Sequence, residues 1–370
     1  MFQHRSTMMP IEKSIVSRDD RLYEAFPSIA ATPSGRLVCI YRESDAHRPV
    51  AISNLVWRTS DDSGRTWGPR RLLAQAEPRG DRLFAWNCPR IVCLQDGRLI
   101  YLCDAYELPP DEDQGYRDSR IYFWVSKDQG QTFEGPQCQS GPIGIVPDRI
   151  LVTRQGTWMF STTYRPATGK MQGQYLWRST DEGKTWEEPV CVAHDDDLEL
   201  CEGSTVQLDS GALVCYLRED QCKGRPVFKA ISHDDGLSWE GVYPTLMPCG
   251  HRPVAGLTTG GKVMVTFAEM LNAVSPGRRN LRALLETQVS ALDPDRDKQM
   301  GIVIPLDHDR GLIRLTGNGY TGWVQLPGDD FLVVNYIFDD APNGHIRSYR
   351  FSESDFAFDT RFDPLSHPGW

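Results

Sequence analysis

Six times along the chain an apolar run, a short glycine-bearing turn and a second apolar run follow one another. The copies are Pro27–Arg42, Pro89–Asp104, Pro147–Arg165, Glu202–Arg218, Arg252–Glu269 and Tyr320–Asp339. Each is rich in Val, Ile and Leu, alternating with polar residues or running on continuously, as neighbouring strands of one sheet do. Turns such as Asp96-Gly97 and Ser210-Gly211 predict two-residue connections. No window carries a helical period of any length; Leu281–Val289 comes nearest and reads equally as a strand.

A second repeat, Ser-x-Asp-x-Gly-x-Thr/Ser-aromatic, occurs at Ser60–Trp67, Ser126–Phe133, Ser179–Trp186 and Ser232–Trp239. Its copies lie roughly 50–65 residues apart, at or just above the spacing of propeller blades. The Asp bonds amides of its own turn, the Gly takes a positive φ, and the aromatic packs inward, so the motif is mechanical rather than catalytic. The fifth unit carries a degenerate turn at Leu292–Asp297 instead. The pattern predicts an all-β chain with one domain over residues 1–370, a six-bladed propeller of four-stranded antiparallel blades. Its ring must close by pairing terminal segments, and Gly344–Phe351 is a candidate for that strand.

In such a ring the innermost strands converge on the axis. Counting back about nine residues from each turn glycine gives Ala25 and Phe26, Asn87 and Cys88, Val146 to Asp148, Cys201 and Glu202, His251 and Arg252, and Gly319 and Tyr320. Packing alone would favour apolar residues here, yet the ring holds an acid, a histidine, an arginine and a phenol. That marks a central pocket with chemistry in it.

Charge narrows the partners. A net charge of −10 and no strong Lys/Arg run argue against nucleic acid, while a local arginine cluster still permits an anionic small molecule. No apolar run approaches about 18 residues, so no membrane span is expected, and the polar N-terminus shows no secretion signal. The ten cysteines lack metal-type spacing and read as free thiols in a reducing cytosol. His194–Asp197 and Asp111–Asp113 read as solvated loop acids, so neither a metal nor a cofactor is expected. A homo-oligomer stays open.

The four Asp-bearing repeats resemble the Asp boxes of the sialidase (neuraminidase) superfamily, over nearly the whole chain. Cys201-Glu202-Gly203 to Arg218 is similar to the sialidase blade carrying a catalytic Glu and one arginine of the arginine triad. Ser275–Leu281 looks like the family's Arg-x-Asn segment, which makes Arg278 a second triad arginine with Arg279 as fallback. Gly319-Tyr320-Thr321 resembles the catalytic tyrosine strand, and Arg42 the extra active-site arginine. Asp45 is the nearest match to the acid/base aspartate, with His47 as rival. The pattern breaks where sialidases open their first blade with Arg-Ile-Pro: this chain has Ala25-Phe26-Pro27. The Glu that braces the missing arginine is likewise replaced, by Asn335 or Tyr336. Arg252 and His251 stand where the family carries small polar residues, and Arg252 is expected to supply a cation from another direction.

The resemblance implies a glycoside hydrolase in which Tyr320 attacks, Glu202 takes its proton and Asp45 protonates the leaving oxygen. Arg218, Arg278, Arg42, Arg252 and His251 would hold an acidic or polyhydroxylated sugar, not ordinary sialic acid. Two other classes fit the same scaffold. One is a polysaccharide lyase, with His251 or Tyr320 as base beside a uronate-neutralising arginine; the other is a non-catalytic glycan-binding propeller.

Overall fold

The computed structural model describes residues 11–108, 119–165, 171–221, 223–270, 279–308 and 319–356. The Asp111–Asp113 run and Arg278 lie outside the described residues. The strands assemble into six antiparallel sheets that follow one another along the chain as propeller blades. Blade I comprises Tyr23–Ala31, Leu37–Ser44, Ser53–Ser60 and Arg71–Ala74. Blade II runs outward from Arg82–Cys93 through Leu99–Leu108 and Arg120–Ser126 to Glu134–Ile143. It also gains a fifth, short strand, Glu77–Arg79, on its inner edge. This strand is polar and exposed, so no apolar run marks it along the chain.

Inner hairpins lead the later blades: Leu151–Val152 with Trp158–Tyr164 in blade III, Leu200–Gln207 with Leu213–Glu219 in blade IV, and Gly250–Leu257 with Lys262–Met270 in blade V. Blade VI combines Gly322–Gln325, Asp330–Ile337 and His345–Ser352 with the N-terminal strand Glu12–Ser17. The expected closing strand thus pairs with the start of the chain. The fifth unit's degenerate turn folds as a short helix, Gln288–Leu292, and one 3₁₀ turn, Arg296–Lys298.

The hairpin turns differ from the expected two-residue type. In blade II the Leu94 amide bonds the Arg98 carbonyl at 2.8 Å, so three residues form the loop, and Gly97 takes φ +86°. Gly35, Gly156, Gly211 and Gly261 occupy the same left-handed position in their blades, while in blade VI Asp329 holds it at φ +69° after a left-handed Gly328. A type I turn closed by a left-handed glycine suits the strand twist, and a Cβ there would be strained.

Packing follows the ring. Six apolar clusters each fill the seam between consecutive blades; Val38, Trp57, Trp86 and Trp124 join blades I and II, and Met264, Leu281, Phe331 and Tyr349 join V and VI. The Asp boxes lock these seams. Asp62 accepts from the Thr66 amide at 2.9 Å and the Thr66 hydroxyl at 2.5 Å, and Asp128, Asp181 and Asp234 repeat the pattern. A Cβ on Gly130 would meet Val38 of blade I at 2.6 Å, so the box of one blade abuts the previous one. The Trp57 indole then donates to the Gly130 carbonyl at 3.0 Å. Four aspartates at the same station of four blades are therefore fasteners.

At the closure, Ser17 donates to Glu24 at 2.6 Å, and the Tyr41 hydroxyl donates to Ser17 at 2.9 Å. Burial, together with the nearby Glu43 charge, pushes the Glu24 carboxyl up to about 7 even though the Ser17 bond opposes it. The folded protein therefore holds a proton on Glu24 that the unfolded chain releases near its ordinary 4.5. Stability from this group is complete below about 4.5, falls as pH rises toward 7, and above 7 the buried charge costs about 3 kcal/mol. Glu24→Gln should accordingly flatten the decline in unfolding free energy between pH 5 and pH 8, raising Tm at the alkaline end and barely at the acid end. Urea titrations at both pH values check this; equal shifts at both would refute it.

Candidate functional site

The residues picked by counting back from the turn glycines share an unusual backbone. Phe26, Val146, Glu202, Arg252 and Tyr320 have φ of +58°, +52°, +50°, +44° and +52°, one each from blades I, III, IV, V and VI. Around Phe26, Glu202 and Arg252 the ladder register breaks, between Ala25 and Ser28, Cys201 and Ser204, and His251 and Val254. Blade II breaks register at the matching point, between Trp86 and Pro89, without a positive φ. A bulge on an inner strand re-aims one side chain toward the axis, and bulky residues adopt left-handed φ only where surrounding contacts hold them. Hydrogen bonds from the preceding blade do so: Thr163 Oγ1 accepts from the Glu202 amide at 2.8 Å, and Asp104 accepts from the Val146 amide at 3.1 Å, as well as from the Cys88 amide of its own blade at 2.9 Å.

At the centre, Tyr320 Oη donates to Glu202 Oε1, and Arg218 donates to the same oxygen at 2.7 Å. Arg218 also holds Asp220. Three residues from blades IV and VI, 118 positions apart at the extremes, thus form one hydrogen-bonded chain. Burial would raise the Glu202 carboxyl, but the Arg218 and Arg252 charges and the tyrosine bond outweigh it and hold it below the usual range. Burial and the Glu202 charge push the Tyr320 phenol well up. The resting pair is therefore carboxylate and neutral phenol, with the phenol's proton already aimed at its acceptor. Glu202 Oε2 is buried and has no partner among the described residues.

The guanidinium groups divide by depth. Arg218 and Arg279 keep partial exposure and can receive a ligand's carboxylate. Arg279 opens an outer strand of blade V, and its charge acts on Tyr23, His47, His251 and Tyr336. Arg42 and Arg252, expected to contact substrate, are fully buried. Arg42 lies 4.5 Å above the Phe26 ring and donates to the His47 carbonyl at 2.7 Å and to Asn87 at 3.3 Å. Arg252 donates to the Pro147 carbonyl at 2.7 Å and lies 5.9 Å from the Tyr320 ring centre. Its positive charge acts on Glu202. The sequence also missed Arg90 of blade II, which donates to the Pro27 and Thr321 carbonyls and so ties three blades together beneath the pocket. Burial, with the Arg252 charge beside it, pulls Arg90 down to about 9.

Where the first arginine of the resemblance is missing, aromatic rings fill the wall. Ala25 is fully buried, and Phe26 packs on Tyr320 at 4.7 Å, Tyr336 at 5.5 Å and His47 at 5.6 Å between ring centres. Tyr336 belongs to this aromatic wall, while Asn335 accepts from the Gly319 amide at 3.1 Å. Tyr23 was not foreseen; it meets Tyr336 at 6.0 Å and bonds His47 Nδ1 at 3.0 Å.

Asp45 departs from expectation. Its carboxylate sits exposed and accepts from the amides of Val50 at 3.0 and 3.3 Å and Ala51 at 2.8 Å, closing the loop between two strands of blade I. A carboxylate spent on three amide contacts caps a turn. His251 is buried and neutral, pushed well down by burial and the Arg218 and Arg279 charges. Among the described residues no three His, Cys, Asp or Glu side chains converge as metal ligands, and Asp195 accepts from the Asp197 amide in a local turn.

Comparison with known proteins agrees at the level of fold. The family model of the BNR repeat-like domain matches residues 110–292. No curated protein sequence matches. Among solved structures, a Dyadobacter fermentans protein of unknown function superposes with a TM-score of 0.74 at 20% identity, covering 93% of this chain and 98% of that one. The NanB sialidase from Streptococcus pneumoniae gives 0.65 at 14% identity, covering 94% of this chain and 71% of that one. The alpha-L-arabinanase of Penicillium chrysogenum gives 0.61 at 11%, covering 93% and 99%.

Proposed function

We propose that this chain, a sialidase-like BNR-repeat propeller, is a glycoside hydrolase that releases an acidic sugar, with Tyr320 as nucleophile and Glu202 as its base. The observation that carries the reading is the chain Tyr320–Glu202–Arg218, held on two strained inner-strand residues. A phenol is a weak nucleophile unless a carboxylate takes its proton as it attacks, and here the acceptor is already in contact. A neutral nucleophile also approaches an anionic sugar without repulsion.

The position of Arg218 narrows the substrate. It shares one Glu202 oxygen with Tyr320, so a carboxylate bound there lies beside the nucleophile. That suits a keto-deoxy sugar acid, whose carboxylate is attached to the anomeric carbon, better than a uronate, whose carboxylate is across the ring. The aromatic wall at Ala25–Phe26 removes the donor that would complete a three-arginine clamp, which favours a sugar acid other than sialic acid. His251, neutral between the two accessible arginines, is the feature that supports the lyase alternative, since a neutral imidazole beside bound carboxylate can take an α-proton.

The test is a panel of para-nitrophenyl glycosides of sialic acid, keto-deoxyoctonic acid, glucuronic acid and galacturonic acid, read by nitrophenol release. Uronate oligosaccharides are followed in parallel near the ultraviolet edge. Release from keto-deoxyoctonic acid with weak or no release from sialic acid is the expected result. An ultraviolet rise without nitrophenol makes the protein a lyase, and silence in both readouts makes it a binder. Strong activity on the sialoside would contradict the weight placed on Ala25.

A further inference from the structure

We propose that His47, positioned by Tyr23, protonates the leaving oxygen, and that Asp45 only clasps the loop that carries His47. The proposal rests on the hydrolase reading above and names the acid that reading needs. Between Arg42 and Ala51 the polar groups converge on fixing one side chain. Arg42 grips the His47 carbonyl at 2.7 Å, Ser44 donates to the Ala46 carbonyl at 2.8 Å, and Asp45 pins the Val50 and Ala51 amides. The imidazole is then set by Tyr23, which bonds Nδ1 at 3.0 Å and meets the ring edge-on at 5.8 Å between centres. Phe26 touches both the His47 and the Tyr320 rings. With Nδ1 engaged by Tyr23, Nε2 is the nitrogen left to exchange a proton with a bound sugar, and the residue keeps solvent access. Asp45 is also exposed, but both of its oxygens are held by backbone amides.

The step balances. Tyr320 Oη forms a bond to the anomeric carbon and gives its proton to Glu202, while the bond from that carbon to the leaving oxygen breaks and the His47 imidazolium proton passes to that oxygen. In the second half, neutral His47 takes a proton from the attacking water, the sugar–tyrosine bond breaks, and Glu202 returns its proton to the phenol. The charges facing His47 are Arg42 and Arg48 on its own loop, Arg279 from blade V and Glu202 from blade IV; Tyr23 and Tyr336 are the neutral phenols around it. Packing of the ring against Tyr23 and Phe26, together with the three arginines, holds the imidazole down to about 4 against the pull of Glu202, although the residue as a whole is exposed. A substrate carboxylate on Arg279 and Arg218 offsets part of that positive field, so the proton arrives with the anionic substrate.

The experiment compares methyl and para-nitrophenyl glycosides of keto-deoxyoctonic acid, since nitrophenolate leaves without being protonated and methanol does not. In His47→Ala, kcat/KM on the methyl glycoside should fall about 100-fold or more and on the nitrophenyl glycoside by at most about threefold. Tyr23→Phe should show the same asymmetry at about tenfold, with the acid limb of its pH profile displaced. Asp45→Asn should change both substrates equally. Equal losses in His47→Ala on both probes, no loss on either, or an asymmetric loss in Asp45→Asn would each overturn the assignment. Failure of the hydrolase reading is a different result: native protein inert on both glycosides. Thermal unfolding of each variant separates a misfolded loop from a missing acid.

Discussion

Glu202→Gln is expected to lower turnover by about 10³-fold while the protein still binds its glycan. Glutamine keeps the shape and can still accept from Tyr320, but it cannot take the phenol's proton. Tyr320 is raised well above the ordinary phenol range by burial and by the Glu202 charge itself, so without a base it stays protonated at every workable pH. The substitution also takes an anion from Arg218, which retains Asp220. Folding should therefore weaken by less than the about 3–5 kcal/mol typical of an orphaned buried charge. Steady-state kinetics with a keto-deoxyoctonic acid glycoside, beside calorimetric binding of the same compound, separates the effects. Retained turnover would remove Glu202 from the mechanism. Lost turnover with lost binding would leave it a scaffold for Arg218.

Ala25→Arg carries the second large effect, and it falls on stability. The change looks like a repair of the family pattern, yet Ala25 is wholly buried and the space beyond it holds Phe26, Tyr23 and Tyr336. A guanidinium forced in there faces the Arg42 charge across the strand pair. An unpaired buried charge in such surroundings costs several kcal/mol, so a loss of about 3–5 kcal/mol is expected, with no gain in sialoside cleavage. Chemical denaturation measures the first quantity and a sialic acid glycoside the second. A stable variant that cleaves sialosides would show that the aromatic wall is a passive filler.

These expectations show what could be read from the residues alone. Blade number and the order of strands follow from local chemistry repeated along the chain: a left-handed glycine at each inner turn and an Asp that bonds its own turn. Measuring from those glycines found the strained pocket residues, because a ring of equal hairpins puts equal offsets at equal depth. Depth itself was not legible. Arg42 and Arg252 stand at pocket stations, but whether a long side chain reaches into the cavity or turns beneath it depends on carbonyls such as those of His47 and Pro147, supplied by other loops. Tyr23 escaped notice for a related reason. The bulge at Ala25–Ser28 re-phases the strand, so alternation counted from the turn glycine does not carry through to it. Loop residues were hardest: Asp45 and His47 differ by two positions, and nothing in the sequence shows that Asp45 is held by the Val50 and Ala51 amides.

The pairing of Glu12–Ser17 with His345–Ser352 has a consequence for biogenesis. Ser14 and Ser348 share a hydrogen bond across 334 positions, so the last sheet lacks one strand until His345–Ser352 has left the ribosome. Tyr320 belongs to that sheet and Glu202 does not, and the two meet only when the circle shuts. The Tyr320–Glu202 contact is thus missing from the nascent chain, and contacts this distant in sequence make the final step slow relative to assembly of single blades.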